Sequence, residues 1–103
     1  LDIFPLVKGH VLVIPKKETD YIFDIESDDY LQLWEFTQKV AKGMDVVFEC
    51  KRIGVVVVGL DVPHAHIHLI PLNHISDINF NKPKLKFTDD EMKEVIKLIR
   101  SAI

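Results

Sequence analysis

The chain has 103 residues, 48% of them hydrophobic, and a net charge of -3, which suits one domain over residues 1–103 with one core and, without any basic run, argues against a nucleic-acid groove. No apolar run reaches membrane-spanning length and no signal peptide is evident, so no membrane partner is expected. The single cysteine, Cys50, excludes an intramolecular disulfide and fits a reducing, cytoplasmic setting.

Leu1 to Phe4 reads as the end of a strand. Pro5 to Gly9 is a turn, and His10 to Ile14 is an apolar, β-branched strand that Pro15 stops. Tyr21 to Ile25 connects to a helix capped by Ser27, with Asp28 and Asp29 at its positive end. Tyr30, Leu33, Trp34, Thr37, Val40, Ala41, Met44, Val47 and Phe48 then recur at helical spacing. Gly43 interrupts this long amphipathic helix at about 1 kcal/mol relative to alanine. The run Gly54 to Gly59 holds four valines and suits a strand buried on both faces at the centre of a sheet. Cys50 reads as a small buried residue.

Pro63 and Pro71 bracket His64-Ala65-His66-Ile67-His68-Leu69-Ile70. In a strand, alternate side chains share a face, so His64, His66 and His68 line up while Ala65, Ile67 and Leu69 enter the core. A helix would scatter the three rings. Neighbouring histidines would stand about 6.6 Å apart at Cα, a spacing that lines an extended anion better than it converges on one point. Asn73 to Phe87 is a long irregular connector, and His74 within it reads as solvated. Thr88 to Glu91 is a capping box. Met92, Val95, Ile96, Ile99 and Ile103 mark a C-terminal helix. The layout is α+β, a mostly antiparallel sheet with a long helix and a C-terminal helix.

An imidazole is a competent nucleophile toward phosphorus near neutral pH. Crowding several rings disfavours protonating all of them, so one can attack while a cationic neighbour holds an anion or protonates a leaving group.

The order His-φ-His-φ-His-φ-φ, with φ apolar, matches all seven positions from 64 to 70 and resembles the signature of the histidine triad family of nucleotide hydrolases and transferases. Leu1-Asp2-Ile3 followed by Gly9-His10 and a strand ending Ile14-Pro15-Lys16 is similar to the family's earlier segment, with Lys8 where that pattern has proline. The resemblance runs at least to Pro71. It implies a sheet that pairs with its symmetry mate in a homodimer. It also implies a hydrolase or phosphoramidase that cleaves at the α-phosphate of a nucleotide through a nucleotidyl-histidine. No cofactor is expected, and no metal, because the row is spaced to span a phosphate and ligands to complete a tetrahedral site are not evident. By this resemblance His66 is the nucleophile, held at its far nitrogen by the main-chain carbonyl of His64. His68 meets phosphate oxygens or the leaving group, and His10 buttresses the row. Asp2 binds the ribose hydroxyls and Ile3 meets the base. The family's N-terminal segment, often a hairpin that helps hold the base, is missing from these residues.

Much of the family has Gly-Gln-x-Val where this chain has Gly59-Leu60-Asp61-Val62. Leu60 cannot donate a side-chain hydrogen bond. Asp61 adds a charge that disfavours a polyphosphate leaving group and favours a cationic amine, which points to phosphoramidates over dinucleoside polyphosphates. Three other readings compete. The row could be the polar face of an exposed strand. It could be a metal site, with His-x-His completed by His10 and Asp61 the nearest carboxylate. It could be a silent nucleotide-binding module.

Overall fold

The computed structural model describes residues 1–2 and 5–103. Three strands, β1 (Val11–Val13), β2 (Arg52–Val56) and β3 (Ile67–Leu72), form one antiparallel sheet in the order β1-β3-β2. Two helices, α1 (Ser27–Val47) and α2 (Asp89–Ala102), accompany the sheet and pack on each other. Short 3₁₀ turns occupy Ile22–Asp24 and Ile75–Ile78. This is the expected α+β layout.

The core forms where the apolar stripe of α1 meets the sheet. Leu33, Val40 and Met44 from α1 join Val11 and Val13 of β1, Ile67 and Leu69 of β3, and Val95 and Ile99 of α2. Burying such side chains is worth about 1.5–3 kcal/mol each, which is what holds the two helices and a small sheet together. Thr88 caps α2 as its sequence predicts: its hydroxyl accepts from the Glu91 amide at 3.1 Å, and the Glu91 carboxylate accepts from the Thr88 amide at 3.1 Å. That exchange is worth about 1 kcal/mol.

Several expectations need correction. The central strand is β3, buried along Ile67 to Pro71. The valine run is not central: β2 ends at Val56 and lies at the edge of the sheet, with Val55 49% and Val58 45% exposed. A β-branched run predicts a strand but not its place in the sheet. The histidine strand begins at Ile67, so His64 and His66 precede it. Leu1 and Asp2 are outside any strand, although the Asp2 amide donates to the His10 carbonyl at 2.9 Å. Ile3 and Phe4 lie outside the described residues. Glu26, not Ser27, occupies the N-cap of α1, and its side chain makes no capping bond. Cys50 is half-buried.

Gly9 shapes the turn that leads into His10. Its φ is +89°, and a Cβ there would meet the Phe48 ring at 2.4 Å. Gly59 has φ +74° but open space around it. Gly9→Ala is therefore expected to cost about 2 kcal/mol or more, from backbone strain and overpacking together, and Gly59→Ala only the strain of about 1 kcal/mol. Denaturant melts of the two variants check this, and equal losses would refute the close approach at Gly9.

Candidate active site

The antiparallel register sets Leu12 opposite His68 and Val11 opposite Leu69. His10, just before β1, is thereby brought against His68 across a sequence separation of 58 residues. His66 stands two residues earlier on the same side as His68, with ring centroids 4.9 Å apart. The rings of His10 and His68 are 5.1 Å apart.

Each ring nitrogen that has a partner has one that dictates its proton. The Leu6 amide can only donate, and it donates to His10 Nδ1 at 3.1 Å. A neutral His10 therefore carries its proton on Nε2, which lies 2.9 Å from His68 Nδ1 and donates to it. His68 in turn carries its proton on Nε2. The His64 carbonyl can only accept, so His66 Nδ1, at 2.8 Å, is protonated and donates. In the neutral ring this leaves a bare lone pair on His66 Nε2. His64 uses its own ring differently: Nε2 donates to the Pro15 carbonyl at 3.0 Å, at the end of β1. The Ala65 amide donates to the Thr19 carbonyl at 2.7 Å and pins the same segment.

Electrostatics keep two of these rings neutral. Burial lowers the pKa of His10, an effect that nearby Asp2 opposes and Lys84 reinforces. His68 is lowered to about 4, first by burial, then by the neighbouring His10 and His66, with Lys84 adding and Asp2 opposing. Both shifts run from the ordinary value of about 6.5. The unfolded chain thus takes up protons first, and the folding stability held by these rings is complete above that pH and declines as pH falls toward about 4. The cationic neighbour expected from ring crowding is therefore not His68 in the free protein at neutral pH. His68 offers a hydrogen bond from Nε2 instead.

Asp2, His10 and His68 each place one ligating atom within 4.8 Å of the others, and they form the one such grouping among the described residues. Asp61 is not in it. A zinc ion holds imidazole nitrogens at about 2.0–2.1 Å, with ligands in a tetrahedral arrangement around it. Here Nε2 of His10 and Nδ1 of His68 face one another at 2.9 Å and are occupied by their own hydrogen bond. A metal would have to break that bond, so the grouping fits a proton-ordered pair better than a metal centre.

Of the residues expected from the sequence, His10, His66 and His68 come together, and His64 serves through its carbonyl. Asp2 is half-buried with its carboxylate 3.7 Å from His10 Nε2. His10 is 2% exposed, so it acts on the row and not on a ligand. Asp61 lies in an exposed turn beside Leu60, which is 85% exposed, and no hydrogen bond or ion pair ties it to the histidines. Ile3 lies outside the described residues. A groove of about 590 Å³ between residues 14–19 and α1 has no histidine on its walls. Sequence reasoning missed Phe80, whose ring centroid is 5.0 Å from that of His68, and Lys84, whose Nζ is 5.1 Å from the centre of the Phe80 ring. It also missed Leu6 and Pro15, which act through main-chain atoms that any residue supplies.

Comparison with known proteins bears on the family and the fold. A bis(5'-nucleosyl)-tetraphosphatase of Schizosaccharomyces pombe is 30% identical over 95 residues, covering 87% of this chain and 50% of that protein. A bifunctional bis(5'-adenosyl)-triphosphatase/adenylylsulfatase of Arabidopsis thaliana is 28% identical over 96 residues, covering 88% and 53%. The chain thus spans about half the length of these relatives. The crystal structure of a HIT-like protein from Bartonella henselae superposes with a TM-score of 0.85 at 28% identity, over 100% of this chain and 77% of that one. The HIT domain family matches residues 1–75, and with the ordered histidine row this establishes that the chain belongs to the histidine triad (HIT) family.

Proposed function

We propose that this protein is a nucleotide hydrolase or transferase that cleaves at an α-phosphate through a covalent adduct on His66. The observation that carries the reading is the hydrogen bond from His66 Nδ1 to the His64 carbonyl. It turns the opposite nitrogen into a fixed lone pair beside a ring whose Nε2–H is free to hold a phosphate oxygen. In the first step a bond forms from His66 Nε2 to the α-phosphorus as the bond to the leaving group breaks, and the leaving group takes that electron pair and, where it is an amine, a proton from solvent. In the second step water attacks that phosphorus, the P–N bond returns its electrons to Nε2, and the water's proton passes to solvent. His68 stabilises charge on the phosphoryl oxygens in both steps, and His10 holds the tautomer that makes this possible. Asp2, half-buried with its carboxylate 3.7 Å from His10 Nε2, is the proposed partner of the ribose hydroxyls. No metal enters this scheme.

His66→Ala is expected to lower turnover by about three orders of magnitude or more, since no other group can form the adduct. The assay is run with a chelator present. Brief mixing of the parent with nucleotide, followed by intact-protein mass spectrometry, should show a nucleotidyl adduct that His66→Ala lacks. Near-normal rates in His66→Ala, or activity of the parent lost to the chelator, would refute the scheme.

The preferred substrate class is a nucleoside phosphoramidate with a cationic amine. Supporting this is the Leu60-Asp61 turn, whose side chains offer no hydrogen-bond donor to a polyphosphate and add a negative charge. A second reading, a dinucleoside polyphosphate, is favoured by the names of the yeast and plant relatives. Asp61→Ser should move the ratio of kcat/KM for the two classes toward polyphosphates several-fold, about what removing one nearby surface charge does. No movement, or a parent that already prefers polyphosphates, decides for the second reading.

The working form is proposed to be a homodimer. The free edge of β2 and the valines that follow it, Val57 36% and Val58 45% exposed, offer unpaired main chain beside apolar surface, the combination a second strand would cover. Light scattering at micromolar concentration should give twice the 11.9 kDa chain mass. Val57→Lys is expected to halve it, and a monomeric parent would count decisively against pairing.

A further inference from the structure

The connector from Asn73 to Phe87 crosses back toward the histidines and is tied down at several points. The Asp77 carboxylate accepts from the amides of Asn73 and His74, both at 2.9 Å. The Asn81 amide donates to Asn79 Oδ1 at 3.0 Å. The Leu85 amide donates to the Pro5 carbonyl at 2.8 Å, next to the Leu6 amide that orders His10. Between these ties stands Phe80, half-buried, its ring 5.0 Å from that of His68 at an interplanar angle of 73°. Lys84 grips it twice: Nζ donates to the Phe80 carbonyl at 3.1 Å and sits 5.1 Å from the ring centre.

Among the described residues His68 therefore has three ring neighbours. His66 meets it at 4.9 Å and 67°, His10 at 5.1 Å and 47°, and Phe80 at 5.0 Å and 73°. Two of the three are the chemical partners already described. Phe80 has no polar side-chain atom and takes no part in proton transfer. Its edge-to-face contact fixes the tilt of an imidazole whose one remaining polar atom must point at the phosphate.

We propose that Phe80, clamped by Lys84, is a positioning residue for the reaction: it closes the third side of His68, holds the ring in the plane that its bond to His10 requires, and keeps water off it. The proposal rests on the reading that His68 binds the phosphoryl group. Its physical content is twofold. A ring fixed on three sides loses less freedom when it engages the phosphate, and a misplacement of about 1 Å can cost as much as 100-fold in rate. A ring shielded from water stays neutral, so that Nδ1 remains available to His10. The charged and titratable groups that face His68 are His10 from before β1, His66 from before β3, Asp2, and Lys84 from the connector itself. Among its ring neighbours in the described residues, only Phe80 is apolar.

The test uses the full chain with Phe80→Leu, which keeps most of the volume, and Phe80→Tyr, which keeps the ring. Nitrogen-detected NMR of the histidine rings needs no substrate. In Phe80→Leu the titration of His68 should move up from about 4 by about one unit or more, as a ring opened to water does. Steady-state assays with a nucleoside phosphoramidate and a dinucleoside polyphosphate should show kcat lower by about tenfold or more with KM little changed, because the lost interaction is one of orientation. The acid limb of the kcat profile should rise together with the NMR titration. Phe80→Tyr should restore both. If Phe80→Leu leaves the His68 titration and kcat within twofold of the parent, or lowers only thermal stability, the proposal is overturned. If the parent turns over neither substrate, the functional reading falls, and the NMR titration alone then decides whether Phe80 orders His68.

Discussion

The buried hydrogen bond from His10 to His68 is the constraint on which the site depends. A neutral imidazole has two tautomers of similar energy, and a catalytic arrangement built on it must remove that freedom. Here the choice is made outside the row, by an amide that cannot accept. From the Leu6 amide the preference passes through His10 to His68. A carbonyl that cannot donate makes the opposite choice for His66. His66 and His68 thus present complementary atoms, a bare nitrogen and an N–H, and both assignments trace to main chain. Main-chain groups do not titrate, so the tautomers of His10 and His68 stay as they are while burial keeps those two rings neutral.

The histidine row and its chemical character were legible in the sequence because both depend on residue type at fixed spacing. His10 was legible only through its resemblance to a known segment. A lone histidine before an apolar run carries no signal of its own, and its partner is 58 residues away. The two helices and the capping box at Thr88 followed from periodicity and side-chain chemistry that act within a few residues. The place of the valine strand did not. Hydrophobicity says that a strand is covered, whereas its order in the sheet is set by which edges pair, here β1-β3-β2. The start of the histidine strand at Ile67 also escaped, since ladder pairing and not alternation marks that boundary.

Phe80 and Lys84 were invisible for another reason. They sit in a connector without periodicity, and an aromatic residue in such a stretch is as readily exposed as packed. What brings Phe80 to His68 is a set of ties between main-chain groups and short polar side chains around Asp77, Asn79 and Leu85. No pattern of residue types announces a rendezvous of that sort. Asp61 shows the converse. Its charge is plain in the sequence, but the turn that carries it is exposed.

The separation of 58 residues between His10 and His68 bears on how the molecule comes to be. The core of the site joins the two ends of the fold's first two-thirds, with the long helix α1 and strand β2 threaded between them. Contacts of high sequence separation form only after the entropy of closing the intervening chain has been met, and they slow folding accordingly. The helices can form early from local information. The proton-ordered pair cannot exist until β1 has docked on β3, so a partly folded chain has histidines but no defined tautomers. The ordered tautomers and the completed topology are therefore acquired in the same event, and the proposed chemistry has no foothold in an incompletely folded molecule.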